Sequence, residues 1–116
     1  MQKQTDLSLL SRNLKVIAEP RRLEILALLM QGVVCNCEIG DMLKMAPNLI
    51  SHHLRVLHEA GLIEMERDPN DARWIYYSIQ PGTVNALVAS ITDFLDTSNI
   101  QPRSLNCGPQ RGKCTS

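Results

Sequence analysis

The sequence predicts one mainly α-helical (α+β) domain with about five helices and a two-stranded β-hairpin. Apolar residues recur at helical spacing through the first half of the chain, and two segments rich in strand formers flank a turn-rich stretch at 68–72. The chain has 116 residues, of which 44% are hydrophobic and only four are aromatic. These figures fit one compact domain with a modest core, which often depends on a partner subunit.

The first two helices are predicted at 7–18 and from Pro20 to about Gln31. Proline suits the first position of a helix, and Gly32 suits a stop just beyond its end. The second helix is apolar nearly all round over 23–30. Such a pattern predicts the central helix of the core.

A third helix is predicted at about Cys37 to Lys44, and a fourth from Pro47 to Ala60, closed by Gly61. Two short helices joined by so brief a turn form a helix-turn-helix. At ~100° per residue, the fourth helix has two distinct faces. The face predicted to be buried carries Ile50, His53, Leu54, Leu57 and Ala60. The face predicted to be free for a ligand carries Asn48, Ser51, His52, Arg55 and Glu59.

The hairpin is predicted from strands at 62–67 and 73–79, so the order of elements is that of a winged helix-turn-helix. A last helix, at about 82–96, carries an apolar stripe that would serve as a dimer surface. The stripe consists of Val84, Leu87, Val88, Ile91 and Leu95. We expect residues 1–97 to form a DNA-binding and dimerisation domain, and residues 98–116 to form a flexible, cysteine-containing tail.

The composition of the chain limits the cellular compartment and the binding partners that we expect. No apolar run reaches the ~18 residues of a membrane span, and the N-terminal residues lack the pattern of a secretory signal, so we expect a cytoplasmic protein with no membrane partner. Twelve basic residues balance twelve acidic ones, so net charge by itself does not indicate nucleic acid. Residues 47–58 nevertheless hold Arg55 and three histidines with no acid.

Four cysteines fall into two pairs, Cys35/Cys37 and Cys107/Cys114. In a reducing compartment a disulfide framework is not expected, so the pairing predicts metal binding or thiol chemistry, with small core hydrophobes as the alternative. Two cysteines at i and i+2 lie roughly 200° apart on a regular helix, so they can share a soft ion only where the helix starts or yields. We expect Asn36 to cap the helix and Cys37 to be its first residue, with both thiolates accessible and reactive.

Four segments together resemble the ArsR/SmtB family of winged helix-turn-helix metalloregulatory repressors, of the arsenical resistance operon type. They read AEPRRLEIL at 18–26, VCNCEI at 34–39, ISHHLRVLHEAGLI at 50–63 and DARWIYY at 71–77. The resemblance covers roughly residues 7–97. It implies a homodimer, built from the first and last helices, that binds double-stranded operator DNA, represses its own resistance operon and leaves DNA when a metal(loid) ion binds.

The resemblance also assigns DNA contacts, because a recognition helix presents polar side chains near its N-terminus to base edges in the major groove. The residues assigned to base or phosphate contact are Asn48, Leu49, Ser51 and His52. Arg55 is assigned to phosphate, and Arg73 in the wing to phosphate or the minor groove. A solvated helix face is the alternative. His53 lies toward the core and is expected to be structural.

For the inducer, the resemblance implies As(III) or Sb(III) held by thiolates, with no constitutive cofactor. Arsenic-sensing relatives carry a further cysteine three residues after the second, where this chain has Gly40, so a third ligand must come from elsewhere. Cys107 or Cys114 would complete a three-coordinate site, and both together would complete a four-coordinate Cd, Pb or Zn site. The family's zinc site on the last helix is excluded here because that helix carries no histidine.

Binding of an ion at Cys35 and Cys37 would distort the start of the third helix and spoil the spacing of ~34 Å between the two recognition helices of a dimer. A coupling of ~1–3 kcal/mol would be enough for a useful loss of affinity.

Several functions remain open at this point. Besides the arsenite or antimonite sensor, the chain would suit a Cd/Pb/Zn sensor that uses all four cysteines, or a thiol-redox regulator that pairs Cys35 or Cys37 with a tail cysteine. An enzyme is disfavoured, because the sequence has no Cys-x-x-Cys beside a βαβ pattern and no Gly-rich phosphate loop. A protein-interaction module that does not bind DNA is the remaining alternative.

Overall fold

The computed structural model describes residues 6–103, so the predictions for residues 104–116, including Cys107 and Cys114, lie outside the described residues. This part of the chain forms a winged helix-turn-helix, as predicted. Its elements are α1 (Leu7–Ile17), α2 (Pro20–Leu29), β1 (Val34–Cys35), α3 (Asn36–Leu43), α4 (Pro47–Glu59), β2 (Ile63–Arg67), β3 (Ile75–Ile79), α5 (Pro81–Phe94) and a short 3-10 helix (Thr97–Asn99).

Helix α2 contributes to the centre of the core, but along one side only. It begins at Pro20, as predicted, and the preceding Glu19 caps it by accepting a hydrogen bond from the backbone N–H of Arg22 (2.9 Å). Ile25, Leu28 and Leu29 are buried, whereas Leu23 is 48% exposed. The predicted central helix therefore contributes to the core through this side, and its opposite side faces solvent in the single chain.

The turn between α3 and α4 is short and contains an unusual backbone conformation. Lys44 is left-handed (φ 51°, ψ 52°), a region that disfavours L-residues with a side chain. Pro47 opens α4, as predicted, and the preceding Ala46 makes no side-chain capping bond. Gly61 has a φ of 78° and follows the end of α4, which confirms its role as the stop.

The sheet has three strands in the order β1-β3-β2, rather than the predicted two. β2 and β3 form the predicted hairpin, in which Ile63 pairs with Ile79 and Arg67 with Ile75. β1 was missed because two residues are too few to show strand periodicity. Its pairing sets Cys35 opposite Tyr76, so the cysteine segment lies directly against the wing.

Helix α5 packs against α1 and divides its apolar residues between two surfaces. Leu87 is buried, and Val84 and Ile91 pack against the same core. Val88 and Leu95 are 55% and 66% exposed. The predicted stripe is therefore not one surface, because three of its five residues pack against the chain's own core. None of the helices within residues 6–103 is both long and apolar enough to span a membrane.

Candidate nucleic-acid interface and thiol site

The outer face of α4 is mostly polar and carries no acidic side chain in its first turns. All five residues of the predicted DNA-contacting set on this helix are exposed, namely Asn48, Leu49, Ser51, His52 and Arg55. Arg55 Nη2 lies 3.3 Å from His52 Nδ1, so these two side chains lie side by side on the helix surface. Their contact with DNA stays a prediction, but their availability follows from the packing of the opposite face.

That opposite face anchors α4 in the core. Ile50, Leu54 and Leu57 are buried there, and Ala60 is half-buried. Ile50 also faces α3, since a Cβ atom added at Gly40 would lie 3.3 Å from Ile50 Cδ1. The two helices of the helix-turn-helix are thus in close contact, so a displacement of α3 would also displace α4.

His53 is structural, as predicted. It is buried, and Arg22 Nη1 donates to its Nδ1 across 3.1 Å. Glu19 Oε2 lies 3.7 Å from its Nε2. Burial lowers the pKa of His53 below its ordinary value, the negative charge of Glu19 opposes this effect, and the positive charge of Arg22 adds to it. The ring therefore serves as a neutral link between α2 and α4.

The wing presents Arg73, but not as an isolated charge. Its side chain is 87% exposed and pairs bidentately with Asp71, with Nε 3.0 Å from Oδ1 and Nη2 2.7 Å from Oδ2. The hydrogen bonds from Arg73 lower the pKa of Asp71. This pairing was not predicted, although a carboxylate two residues before the arginine could have suggested it.

The tip of the wing is ordered by Asp68. Its carboxylate accepts hydrogen bonds from the backbone N–H groups of Asn70 (2.8 Å) and Asp71 (3.2 Å), and from the hydroxyl of Tyr76 (3.0 Å). These bonds lower the pKa of Asp68. The tip therefore holds its own shape, and Arg73 extends from a rigid turn.

The two cysteines sit at the start of α3, but shifted by one residue from the prediction. Cys35 is the cap, with extended φ and ψ of −87° and 161°, and Asn36 is the first helical residue. The backbone N–H of Cys35 donates to Glu38 Oε1 across 3.2 Å, which accounts for the shift. Cys37 is exposed, but Cys35 is buried because it belongs to β1, so the prediction that both are accessible was wrong for Cys35.

The structure joins Cys35 and Cys37 as a disulfide, with their Cα atoms 5.5 Å apart. The expectation was of two thiols in a reducing compartment, whereas here the two sulfurs are in contact. The underlying geometric prediction holds, because the helix starts between the two residues and their sulfurs converge. Once reduced, both could reach one soft ion. Within residues 6–103 no group of three or more His, Cys, Asp or Glu side chains could hold a metal, so these two sulfurs form an incomplete site.

Asn36, between the cysteines, was predicted only as a helix cap, and its contact with the wing was not predicted. Its Nδ2 donates to the backbone carbonyl of Arg73 (3.4 Å), and its Oδ1 accepts from the backbone N–H of Ile75 (3.4 Å). Its partners lie 37 and 39 residues further along the chain, so no local pattern could have indicated them. The side chain ties the start of α3 to the wing.

An open groove of about 510 Å³ connects the thiol site with the DNA-binding elements. Its walls include Cys37 and Gly40 of α3, Ser51 of α4, and Ile75 and Tyr77 of β3. An ion or group bound at Cys37 would therefore lie beside both the recognition helix and the wing.

Comparison with known proteins agrees with this architecture. Residues 19–65 match the family model described as bacterial regulatory protein, arsR family. The chain is 33% identical to the arsenical resistance operon repressor of Bacillus subtilis, over 65% of this chain and 70% of that protein. It is 34% identical to an uncharacterised HTH-type transcriptional regulator of Methanocaldococcus jannaschii, over 68% of this chain and 86% of that protein.

A solved structure shows the same relationship. The crystal structure of a possible transcriptional regulator for arsenical resistance has a TM-score of 0.62 and 34% identity, covering 70% of this chain and 81% of that one. Together, the sequence matches and the shared winged helix show that the chain belongs to the arsR family of bacterial regulatory proteins and is a DNA-binding transcriptional repressor, not an enzyme.

Proposed function

We propose that the chain acts as a homodimeric operator-binding repressor that releases DNA when As(III) or Sb(III) binds the reduced thiols of Cys35 and Cys37. The observation that carries the proposal is the convergence of the two sulfurs at the start of α3. This point lies against the wing through β1 and against the recognition helix through α3. A ligand there is well placed to alter both DNA-binding elements.

The proposed DNA surface combines the outer face of α4 with the wing. Ser51 and His52 lie in the first two turns of α4, where short polar side chains can meet base edges in a major groove. Arg55 and Arg73 supply the charge for phosphates. The zero net charge of the chain is no obstacle, since Arg55 lies on a face with no acid from Pro47 to His58.

The proposed dimer surface is formed by the outer sides of α1 and α5. Leu7, Leu14 and Phe94 are 57%, 38% and 50% exposed and line a groove of about 410 Å³. Val88 and Leu95 of α5 are exposed as well. Apolar side chains left in solvent at this density are typical of a surface that another subunit covers. A twofold dimer built on these helices would present two recognition helices to successive grooves.

The inducer is assigned by the chemistry of its ligands. Thiolates select soft ions, and hard ions such as magnesium would not choose this site. Two sulfurs leave a three-coordinate ion one ligand short, and we propose that Cys107 or Cys114, from the same subunit or the partner, supplies the third. The name of the Bacillus subtilis relative favours arsenic over cadmium, lead or zinc, which would use all four cysteines.

The test uses the reduced, full-length protein and a fluorescent duplex taken from immediately upstream of its own reading frame. Fluorescence anisotropy follows release during titration with arsenite, antimonite, cadmium, lead or zinc, and a scrambled duplex measures non-specific binding. We expect arsenite or antimonite to release the wild type and to leave the Cys35→Ser/Cys37→Ser variant bound. Normal release of that variant would exclude the proposed thiol site.

Single Cys107→Ser and Cys114→Ser variants assign the remaining ligand in the same assay. Loss of the arsenite response in one of them alone identifies that cysteine. A different result would replace the arsenic proposal with a four-thiolate site. In that case each of the two variants loses the response, and the wild type responds more strongly to cadmium than to arsenite. Equal affinity for the upstream and scrambled duplexes would remove the operator-specific function itself.

The close approach of the Cys35 and Cys37 sulfurs supports a second candidate, a repressor that responds to oxidation. Peroxide would take two electrons and two protons from the Cys35 and Cys37 thiols, giving a disulfide and two molecules of water. In this version the cysteines pair with each other. Release of DNA by peroxide without metal, retained in the Cys107→Ser/Cys114→Ser variant, would favour it; loss of release in that variant would point to pairing with a tail cysteine.

A further inference from the structure

We propose that Asn36 is a positioning residue for the DNA-binding wing, and that it transmits the state of the cysteine pair to Arg73. The inference rests on the proposed function, because it takes DNA as the ligand of the wing and the two sulfurs as the regulated site. It adds the wing to the mechanism predicted from the sequence, in which binding distorts the start of α3 and spoils the spacing of the two recognition helices.

The carboxamide of Asn36 matches two opposite backbone groups of the wing. Its N–H group meets the carbonyl of Arg73, and its oxygen meets the N–H of Ile75, so that it holds the chain on both sides of Trp74. A carboxamide supplies a donor and an acceptor on one short side chain, which a carboxylate or a hydroxymethyl group cannot do in the same geometry. Asn36 therefore fixes the backbone from which the Arg73 side chain extends.

This link is distinctive within the described part of the chain. Among the hydrogen bonds of residues 6–103, no other side chain of α1 to α4 reaches the wing. The β1–β3 pairing ends at Cys35 opposite Tyr76, and Asn36 extends the connection one residue further, to where β3 begins. The wing tip is ordered internally by Asp68 and Asp71, so Asn36 sets where the tip lies and not its shape.

Its place between the cysteines explains how the link would be regulated. In the disulfide, the side chains on either side of Asn36 are joined, which restricts the backbone of that residue. Reduction, or binding of an ion that needs a third ligand, changes the separation of the two sulfurs. The carboxamide must then move relative to the wing, because it is carried by the backbone between them.

The first experiment measures how DNA affinity depends on salt. Arg73→Ala should lower the slope of log affinity against log salt by about 1, the loss of one phosphate contact. We expect Asn36→Ala to lower the slope by the same amount, with no further loss in the Asn36→Ala/Arg73→Ala variant, since both changes remove one contact. A wild-type slope for Asn36→Ala, or additive losses in the double variant, would overturn the proposal.

A second variant guards against a folding defect at the start of α3. Asn36→Asp keeps an acceptor for Ile75 N–H and suits the first turn of a helix, but it loses the donor to Arg73 O. It should keep the far-ultraviolet circular dichroism and thermal midpoint of the wild type while showing part of the slope loss. A full wild-type slope in a variant that folds normally would count against positioning by the carboxamide.

The second experiment needs neither DNA nor metal and uses Trp74, the single tryptophan of the chain, which is 44% exposed. Reduction of the disulfide with dithiothreitol should shift its emission in the wild type, and the shift should be absent in Asn36→Ala and in Cys35→Ser/Cys37→Ser. An equal shift in Asn36→Ala would refute the link. Because this readout is independent of operator binding, failure of the proposed function and failure of the Asn36 link give separate results.

Discussion

Arg22 of α2 donates a hydrogen bond through Nη1 to Nδ1 of His53 in α4, across 3.1 Å, and so joins a core helix to the recognition helix. Arg22 is itself held in place, since its Nε donates to the carbonyl of Val16 across 2.6 Å. A guanidinium has only donors, so His53 must offer a lone pair at Nδ1. The neutral ring then carries its proton on Nε2, toward Glu19.

This arrangement predicts a loss of stability at mildly acidic pH. The pKa of His53 in the folded chain is lowered by burial, whereas in the unfolded chain it has its ordinary value of 6.5. As pH falls through that value, the unfolded chain binds a proton that the folded chain does not, so the free energy of unfolding decreases. Above it both states are neutral at this site, and the contribution is constant.

Urea unfolding at about pH 7.5 and about pH 5.5 tests this prediction. His53→Gln, which can still accept from Arg22 but does not titrate, should lose less stability over this range than the wild type. His58→Gln, at an exposed position of the same helix, is the matched control and should lose as much as the wild type. Identical pH dependence of His53→Gln and the wild type would contradict the assignment.

DNA contacts on α4 should determine the preference for the operator sequence, whereas the contact in the wing should determine the affinity for any duplex. Ser51→Ala or His52→Ala should reduce the preference for operator over scrambled duplex, by about 1–3 kcal/mol if the side chain reads a base. Arg73→Ala should weaken both duplexes alike, because phosphate contacts carry no sequence information. Anisotropy titrations of both duplexes over a range of salt separate the two effects, with exposed Glu59→Ala, at the far end of α4, as the control. A loss of preference in Arg73→Ala would mean that the wing reads bases.

Gly40 is the position where a third thiolate can be restored. It lies three residues after Cys37, on the same side of α3, and both residues line the groove beside α4. In a Cys107→Ser/Cys114→Ser background that no longer responds to arsenite, Gly40→Cys should restore release of DNA. The change in stability should stay within about 1 kcal/mol, because the gain from replacing a helical glycine offsets the crowding of Ile50 Cδ1 at 3.3 Å.

Gly40→Ala in the same background adds the same Cβ without the sulfur, so it should fold like Gly40→Cys and remain unresponsive. Arsenite-induced release of Gly40→Ala would show that shape and not a third thiolate controls the switch. No release of a well-folded Gly40→Cys would mean that a thiol at this position cannot join Cys35 and Cys37 around the ion.

Lys44 is a site where stability can be gained. The left-handed backbone conformation of Lys44 costs a residue with a side chain about 1–2 kcal/mol. Glycine removes this cost, but the greater conformational entropy of glycine in the unfolded chain offsets part of the gain. We expect Lys44→Gly to raise the free energy of unfolding by about 0.5–1 kcal/mol in urea titrations. Lys44→Ala keeps the strain and should bring no gain. A gain of equal size in Lys44→Ala would trace the effect to the removed charge.

Much of the fold could be predicted because its signals are local. Helical periodicity located all five α-helices to within a few residues, and it assigned Ile50, His53, Leu54 and Leu57 to the buried face of α4. The same geometry required the helix to start at the cysteine pair if both sulfurs were to meet. The family resemblance then added the function that periodicity cannot provide.

The sequence by itself thus determined the order of helices, the two faces of α4 and the pairing of two soft ligands beside it. Only the tertiary structure decided that β1 joins the wing, that Cys35 is buried, and that Asn36 and Arg22 reach Ile75 and His53. These partners lie 31 to 39 residues apart. Propensity and periodicity act within a few turns of chain, whereas such contacts exist only after separate elements have packed against one another.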